Sequence, residues 1–500
     1  MKLFLRAAVA AVAASTALAQ TDSALQRIGE RLTANALKAD VSFLASDALE
    51  GRGTPSRGLD IAAEYIAAEF RRAGLEPAGD DGYFQTASFS SVTPNTEGLE
   101  FTLEVGGRAI QAGKASMSVQ AGAALDLSHA GAIKIVPTDT VAMEAFLALP
   151  AEQVKGKVLL VQLSDPMGRA DPRLAQVFAN PQAALVVLLR PAVPRALGTP
   201  RLQDASPAAA AAPMLMLADA AIRADVAAAP AGPMEGTVSV HVPAPTATPV
   251  KLRNVAGVLR GSDPALQDRF VVLTAHYDHL GVRGQGEGDH IYNGANDDAS
   301  GTASVMEIAG TLGGLAARPR RSILFLALFG EELGDLGSQY YARHPIFPLA
   351  KTIADINLEQ LGRTDESGDG EKLGQFNLTG FDFTNLAAIL RKYSEPAGVK
   401  VVKDEAKSDS FFGRSDNAAF AVAGVPSTTL SVTYVFGDYH RPGDKWPKLD
   451  YENMAKVDRA IALAAFGLAD GTEEPQWNAE NRKTEAYRKA REKQDSSGGR

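Results

Sequence analysis

The chain of 500 residues contains no cysteine. That removes disulfides, thiolate metal sites, a cysteine nucleophile and the lipidated cysteine of a lipoprotein, so any metal must be held by His, Asp and Glu. Neither G-x-S-x-G nor H-E-x-x-H occurs, which sets aside the serine-hydrolase elbow and the zincin helix. No stretch carries a dense basic face, and the net charge is −9. A nucleic-acid partner is therefore not expected. Beyond the N-terminal segment no uncharged apolar run reaches spanning length, so stable membrane insertion is not expected either.

What is present is a large apolar fraction, 45% of the residues, enough for a substantial core and two or three domains. The opening "MKLFLRAAVAAVAASTALAQ" has Lys2 and Arg6, an apolar middle and Ala17-Leu18-Ala19, the pattern of an export signal cleaved after Ala19. Residues 20–96 read mainly as helix, with Ile61, Tyr65, Ile66, Phe70 and Leu75 on one face and Gly74 near its end. From 97 to 245 the texture changes to short β-like runs such as "GKVLLVQL" and "ALVVLLR", bounded by the proline-rich "HVPAPTATPVKL". From 246 to 472 apolar strands alternate with helices, the signature of an α/β sheet. Its strands are predicted at "RFVVLTAH", "SILFLALF", "TIADINLE" and "VPSTTLSV", and helices at "GTASVMEIAGTLGGL" and "DFTNLAAILRKYSEPAG". Residues 473–500 read as a charged, solvated tail.

In open α/β sheets the functional crevice lies beyond the carboxyl ends of the strands. Those ends carry His276 and Asp278, then Glu331 and Glu332, then Glu359. Two loops add Asp297 and Asp298 in "YNGANDDASG" and His440 in "GDYHRPGD". Each has a plain alternative: Glu331 and Glu332 suit a first helical turn, and Asp297 and Asp298 suit a helix cap. Together, so many carboxylates in one crevice would repel one another unless cations neutralised them. Imidazole and carboxylate donors without thiolate suit Zn²⁺, with Co²⁺ or Mn²⁺ as substitutes. A two-metal site needs one bridging carboxylate and further ligands on each ion. Asp297 as bridge, His276 and Glu359 on one ion, and Glu332 and His440 on the other satisfy that count. Glu331 is left over and is placed to act as general base.

The series H-x-D, N-G-A-x-D-D-x-S-G, E-E-x-G-x-x-G-S, N-L-E-x-L-G-R and Y-H-x-P-x-D resembles the M28 family of co-catalytic zinc metallopeptidases. "SDALEGRGTPSRG" and "SDNAAFAVAGVPS" also resemble family segments, so the likeness spans roughly 40–95 and 250–465. It implies a mixed, mostly parallel sheet flanked by helices, with 97–245 an inserted, smaller, partly β domain of the protease-associated type. It implies two bound divalent ions and the same ligand and base roles. It adds Asp278 as hydrogen-bond acceptor from His276, Tyr439 as an aid in polarising the scissile carbonyl, and a cis peptide between Asp297 and Asp298. Two positions depart from the family pattern: Glu359 stands where many members have Asp, and Asn417 where His is frequent. The expected substrates are peptides, and the favoured activity is that of an aminopeptidase. A carboxypeptidase, with Arg363 or Arg414 holding a terminal carboxylate, is the enzymatic alternative. A metal-free binding module is the non-enzymatic one.

Overall fold

A computed structural model describes residues 28, 30–95, 97–119, 124–163, 174–178, 180–192, 201–204, 214–365 and 370–497. The expected export signal lies outside the described residues. The chain divides into two compact units, residues 1–87 with 252–500, and residues 88–251. The second unit thus begins before, and ends after, the 97–245 expected from composition.

The unit of residues 88–251 holds an eight-stranded sheet, in the order Arg108–Gln111, Glu100–Val105, Gly232–Val242, Leu125–Ile135, Val158–Gln162, Leu185–Leu189, Met214–Leu217, Met117–Val119. The runs "VLLVQ" and "LVVLL" pair in parallel near its middle, which explains their unbroken apolar character. Alternate side chains from this sheet feed two separate cores, one containing Leu160 and Val187, the other Leu159 and Val186.

In the other unit the strands are β1 (Thr246–Leu259), β2 (Phe270–His276), β3 (Ser322–Leu328), β4 (Thr352–Leu358), β5 (Gln375–Leu378), β6 (Lys400–Val402) and β7 (Ser427–Ser431). Its helices include α1 (Arg57–Arg72), α2 (Ser300–Gly313), α3 (Leu336–Arg343), α4 (Leu386–Ser394), α5 (Asn417–Val422), α6 (Tyr451–Asp470) and α7 (Glu485–Ser497). Within a ten-stranded sheet these seven stand in the order β6-β5-β7-β4-β2-β3-β1. Neighbours in the central series β7-β4-β2-β3 are parallel. β1 joins β3, and β5 joins β7, in the antiparallel sense. The result is the mixed, mostly parallel sheet expected.

Every residue of β2, β3 and β4 is buried. That is the reason they read as continuous apolar runs, since a parallel sheet is covered on both faces. Val272, Leu324, Leu326 and Leu328 point to one face, where Tyr341 of α3 and Phe420 of α5 pack on them. Phe325 points to the other, 6.4 Å between ring centroids from Phe70 of α1. In α1 the buried face is Leu59, Ala62, Ala63, Ile66, Ala67 and Phe70. Ile61 and Tyr65 sit at its margin.

Two expectations change. The pair Glu331–Glu332 does not open a helix; it forms a short 3-10 turn after Gly330, and α3 starts only at Leu336. The charged tail is not simply solvated. Trp477 and Tyr487 pack with Phe383 and Phe412, and the Trp477 indole donates to Gly424 O at 3.0 Å. The last three residues lie outside the described ones. No helix among the described residues is long and apolar enough to cross a membrane.

Candidate metal centre

Parallel strands deliver their ends to one side of a sheet, and three such ends meet here. His276 is the last residue of β2. Glu331 and Glu332 follow β3 by way of Phe329 and Gly330. Glu359 follows Leu358 of β4 directly. The loop before α2 brings Asp297 between them, and the Asp297–Asp298 peptide is cis.

Two groups of donors result, and both contain Asp297. In one, ligand atoms of His276, Asp297 and Glu359 all lie within 4.8 Å of each other; in the other, those of His279, Asp297 and Glu332 do. His440 closes on the second group, with Nε2 at 3.2 Å from Asp297 Oδ2 and 3.3 Å from Glu332 Oε2. His276 Nε2 lies 3.4 Å from Asp297 Oδ1 and 3.9 Å from Glu331 Oε2. All eight residues named from the sequence are therefore gathered here. Tyr439 joins them by stacking its ring on His440, centroids 4.0 Å apart.

The donors fit a cation better than they fit one another. His276 Nε2, Asp297 Oδ2 and Glu332 Oε1 are buried yet make no hydrogen bond, although their neighbours are close. Atoms so placed converge on common points, and an unpaired buried polar atom is otherwise costly. Nitrogen and carboxylate donors without sulfur suit zinc.

Electrostatics give the same picture. Burial opposes the Asp297 charge, but the His276 and His440 imidazoles beside it hold its carboxyl well below the usual range. Burial likewise opposes the charge on Glu332, yet the neighbouring His279 and His440 imidazoles bring it down to about 2. For His440, burial lowers the pKa while Asp297 and Glu332 raise it further, to about 10. Glu331 is different: burial, with Glu359, Glu332 and Asp416 nearby, pushes its carboxyl well above the usual range, with only His276 acting against them. Glu359 is also raised, first by burial, although Gln360 Nε2 donates to it at 3.2 Å.

Asp278 sits where two tasks meet. Its backbone oxygen is 3.3 Å from His276 Nδ1, and its carboxylate Oδ1 is 3.6 Å from that atom. The carboxylate itself accepts from the Glu331 backbone N–H at 3.1 Å and from the Thr54 hydroxyl at 3.1 Å. It therefore positions Glu331 as well as His276.

Several residues at the centre were not singled out from the sequence. His279 is almost fully buried, with Nδ1 at 2.6 Å from Glu332 Oε1 and 4.0 Å from Asp297 Oδ2. Its ring fits only because residue 294 is glycine: a Cβ there would stand 2.4 Å from His279 Cγ, and φ is +59°. The signal was available, three residues after His276 in "HYDHLG". Asp444, the final acid of Y-H-x-P-x-D, accepts from the backbone N–H of Asn296 at 3.0 Å and of Asp297 at 3.1 Å. Arg52 lies fully buried beneath the loops. It donates to the carbonyls of Tyr277 at 2.8 Å, Asn293 at 2.8 Å and Gly294 at 3.0 Å, and to that of Leu44. Burial lowers its pKa to about 10, with Asp278, Asp444, Asp298 and Asp297 supporting its charge.

The chain is similar to several known proteins. A probable zinc metalloprotease of Leptosphaeria maculans is 41% identical over 119 residues, 22% of this chain and 26% of the relative. A probable zinc metalloprotease of Pyricularia oryzae is 31% identical over 237 residues, 45% of this chain and 44% of the relative. The aminopeptidase YwaD of Bacillus subtilis is 25% identical over 233 residues, 45% of this chain and 46% of the relative. The matches thus span less than half the length of these relatives. In fold, the aminopeptidase from Aneurinibacillus sp. strain AM-1 superposes with a TM-score of 0.55 at 20% identity, over 90% of this chain and 97% of its own. The profile of peptidase family M28 matches residues 254–465 of the chain.

Proposed function

We propose that this protein is an exported di-zinc aminopeptidase. The observation that carries the reading is one carboxylate, Asp297, shared by two nitrogen-and-oxygen donor groups, with Glu331 beside them and outside both. His276, Asp297 and Glu359 would hold one ion; Asp297, Glu332 and His440 would hold the other. Bound there, two divalent ions supply Lewis-acid polarisation of the scissile carbonyl and acidify the attacking water.

The chain's own residues do the rest. Glu331 takes the proton from the attacking water and returns it to the leaving amine. Its raised affinity for a proton, due first to burial, suits a group that must hold that proton between the two steps. The Asp278 carboxylate fixes the base by holding its backbone N–H. Tyr439 keeps its phenolic proton, because burial and then Asp297, Glu359, Glu332 and Glu331 raise its pKa. It is thereby a donor to the developing oxyanion.

The carboxypeptidase alternative loses one of its two arginines. Arg363 is paired with Asp365 at 2.6 Å and with Asp438 at 3.0 Å, so it is not free to take a terminal carboxylate. The test uses zinc-loaded protein and short peptides blocked at either end. Cleavage should need a free α-amine and tolerate a blocked carboxyl; cleavage that ignores amino-end blocking removes the aminopeptidase assignment. Metal analysis should return two ions per chain, whereas a binding module would return none. Export is tested by the N-terminus of the mature protein, expected at Gln20.

A further inference from the structure

A narrow cleft opens beside Glu359 and Tyr439. Phe411, Tyr434 and Tyr439 supply its aromatic surface, and its other described lining residues, Arg414 among them, are polar or charged.

The lining also carries a cation. The Arg414 guanidinium lies over the Phe411 ring, 4.3 Å from its centroid, and is exposed. It pairs with no carboxylate among the described residues, in contrast to Arg363. Stacking on an aromatic face holds the planar guanidinium while leaving its N–H edges open to accept a carboxylate in bidentate fashion. Ser431 and Tyr434 add polar atoms to the lining.

We infer that this cleft receives the side chain of the substrate's first residue, and that Arg414 selects an acidic one, glutamate or aspartate. The inference rests on the aminopeptidase reading and deepens it. A side-chain carboxylate would pair with Arg414, which meets no acid among the described residues. A neutral aliphatic residue would leave Arg414 without a partner, and a lysine would meet like charge.

The test compares glutamyl, leucyl and lysyl p-nitroanilides with the zinc-loaded full chain. The glutamyl substrate should show the highest kcat/KM and the lysyl the lowest. A charge-assisted hydrogen-bonded pair corresponds to roughly ten- to a hundredfold. Arg414→Ala should lower kcat/KM for the glutamyl substrate by about that factor and change the leucyl value less than about twofold. Arg414→Glu should move the preference toward lysyl. Release of p-nitroaniline with a leucyl preference, and an Arg414→Ala variant with an unchanged glutamyl-to-leucyl ratio, would overturn the inference and leave the aminopeptidase intact. Failure to cleave any of the three overturns both.

Discussion

Glu331 and Glu332 are the same residue type, adjacent in the chain, and their carboxyls titrate in opposite directions. Glu332 lies beside the His279 and His440 imidazoles, which bring it down to about 2 against burial, whereas Glu331 is raised by burial and by the carboxylates around it. On the proposed reading the first stays charged and holds a cation, and the second exchanges a proton. Glu331→Gln should therefore keep its metal, by elemental analysis, and lose about 10²–10⁴ in kcat. A variant with wild-type turnover would remove Glu331 from the mechanism. Glu332→Gln should instead lose metal. Protons and metal compete at the same histidine. In the metal-free protein His440 has its pKa raised from 6.5 to about 10, so between those values the folded chain keeps a proton that the unfolded chain has released. Its contribution to metal-free stability is full below the lower value and is lost as pH rises through the upper one. Zinc must expel that proton, so affinity should rise by about tenfold per pH unit for this site over the same window. Chelator-competition titrations at two pH values within it measure this, and a pH-independent Kd would contradict it. The adjacent acids were visible in the sequence because they follow an apolar run. Their division of labour was not, because it depends on His279 and His440, whose approach is made across the fold.

At the scale of elements, the centre depends on three loops buttoned together. Asn296 Oδ1 accepts from the N–H groups of Gly362 at 2.8 Å and Arg363 at 2.9 Å. Asp298 Oδ1 accepts from Gln360 N at 3.1 Å and Gly301 N at 2.9 Å. Asp444 ties the His440 loop to the same segment. Asp298 therefore caps α2, as its position before a helix predicted, and also joins that cap to the end of β4. Asp444→Ala leaves two buried N–H groups unpaired, a cost of about 1–3 kcal/mol each. Urea unfolding should register the loss, and metal occupancy should fall with it. The C-terminal segment depends on apolar contact instead. Trp477→Ala should cost about 3–5 kcal/mol in the same measurement, since it removes a buried aromatic from the Phe383, Phe412 and Tyr487 cluster. A change under about 1 kcal/mol would show that the segment does not depend on this contact. The sequence concealed it because α7 is charged along most of its length, and two aromatics separated by ten positions produce no periodic stripe.

For the whole molecule, a cation held by side chains from strands β2, β3 and β4 and from two loops binds only the folded chain. Zinc should therefore raise the melting temperature, and at a free concentration of a hundred times Kd the gain is about 2.7 kcal/mol. Removing the metal with a chelator should reverse the shift, and equal melting temperatures with and without zinc would argue against a preformed site. The sequence by itself determined the chemistry available: without cysteine, the donors had to be His, Asp and Glu. It also determined the sheet, because strands buried on both faces must be apolar throughout, and it put the charged residues at their ends. What only the tertiary structure decided was partnership. Arg52 is buried and donates to the Gly294 carbonyl, Arg363 is paired by Asp365 and Asp438, and Arg414 meets no acid among the described residues. Local sequence encodes burial through periodicity and charge through residue type. Which charge meets which is set by loops distant in the chain that the parallel sheet brings to one edge.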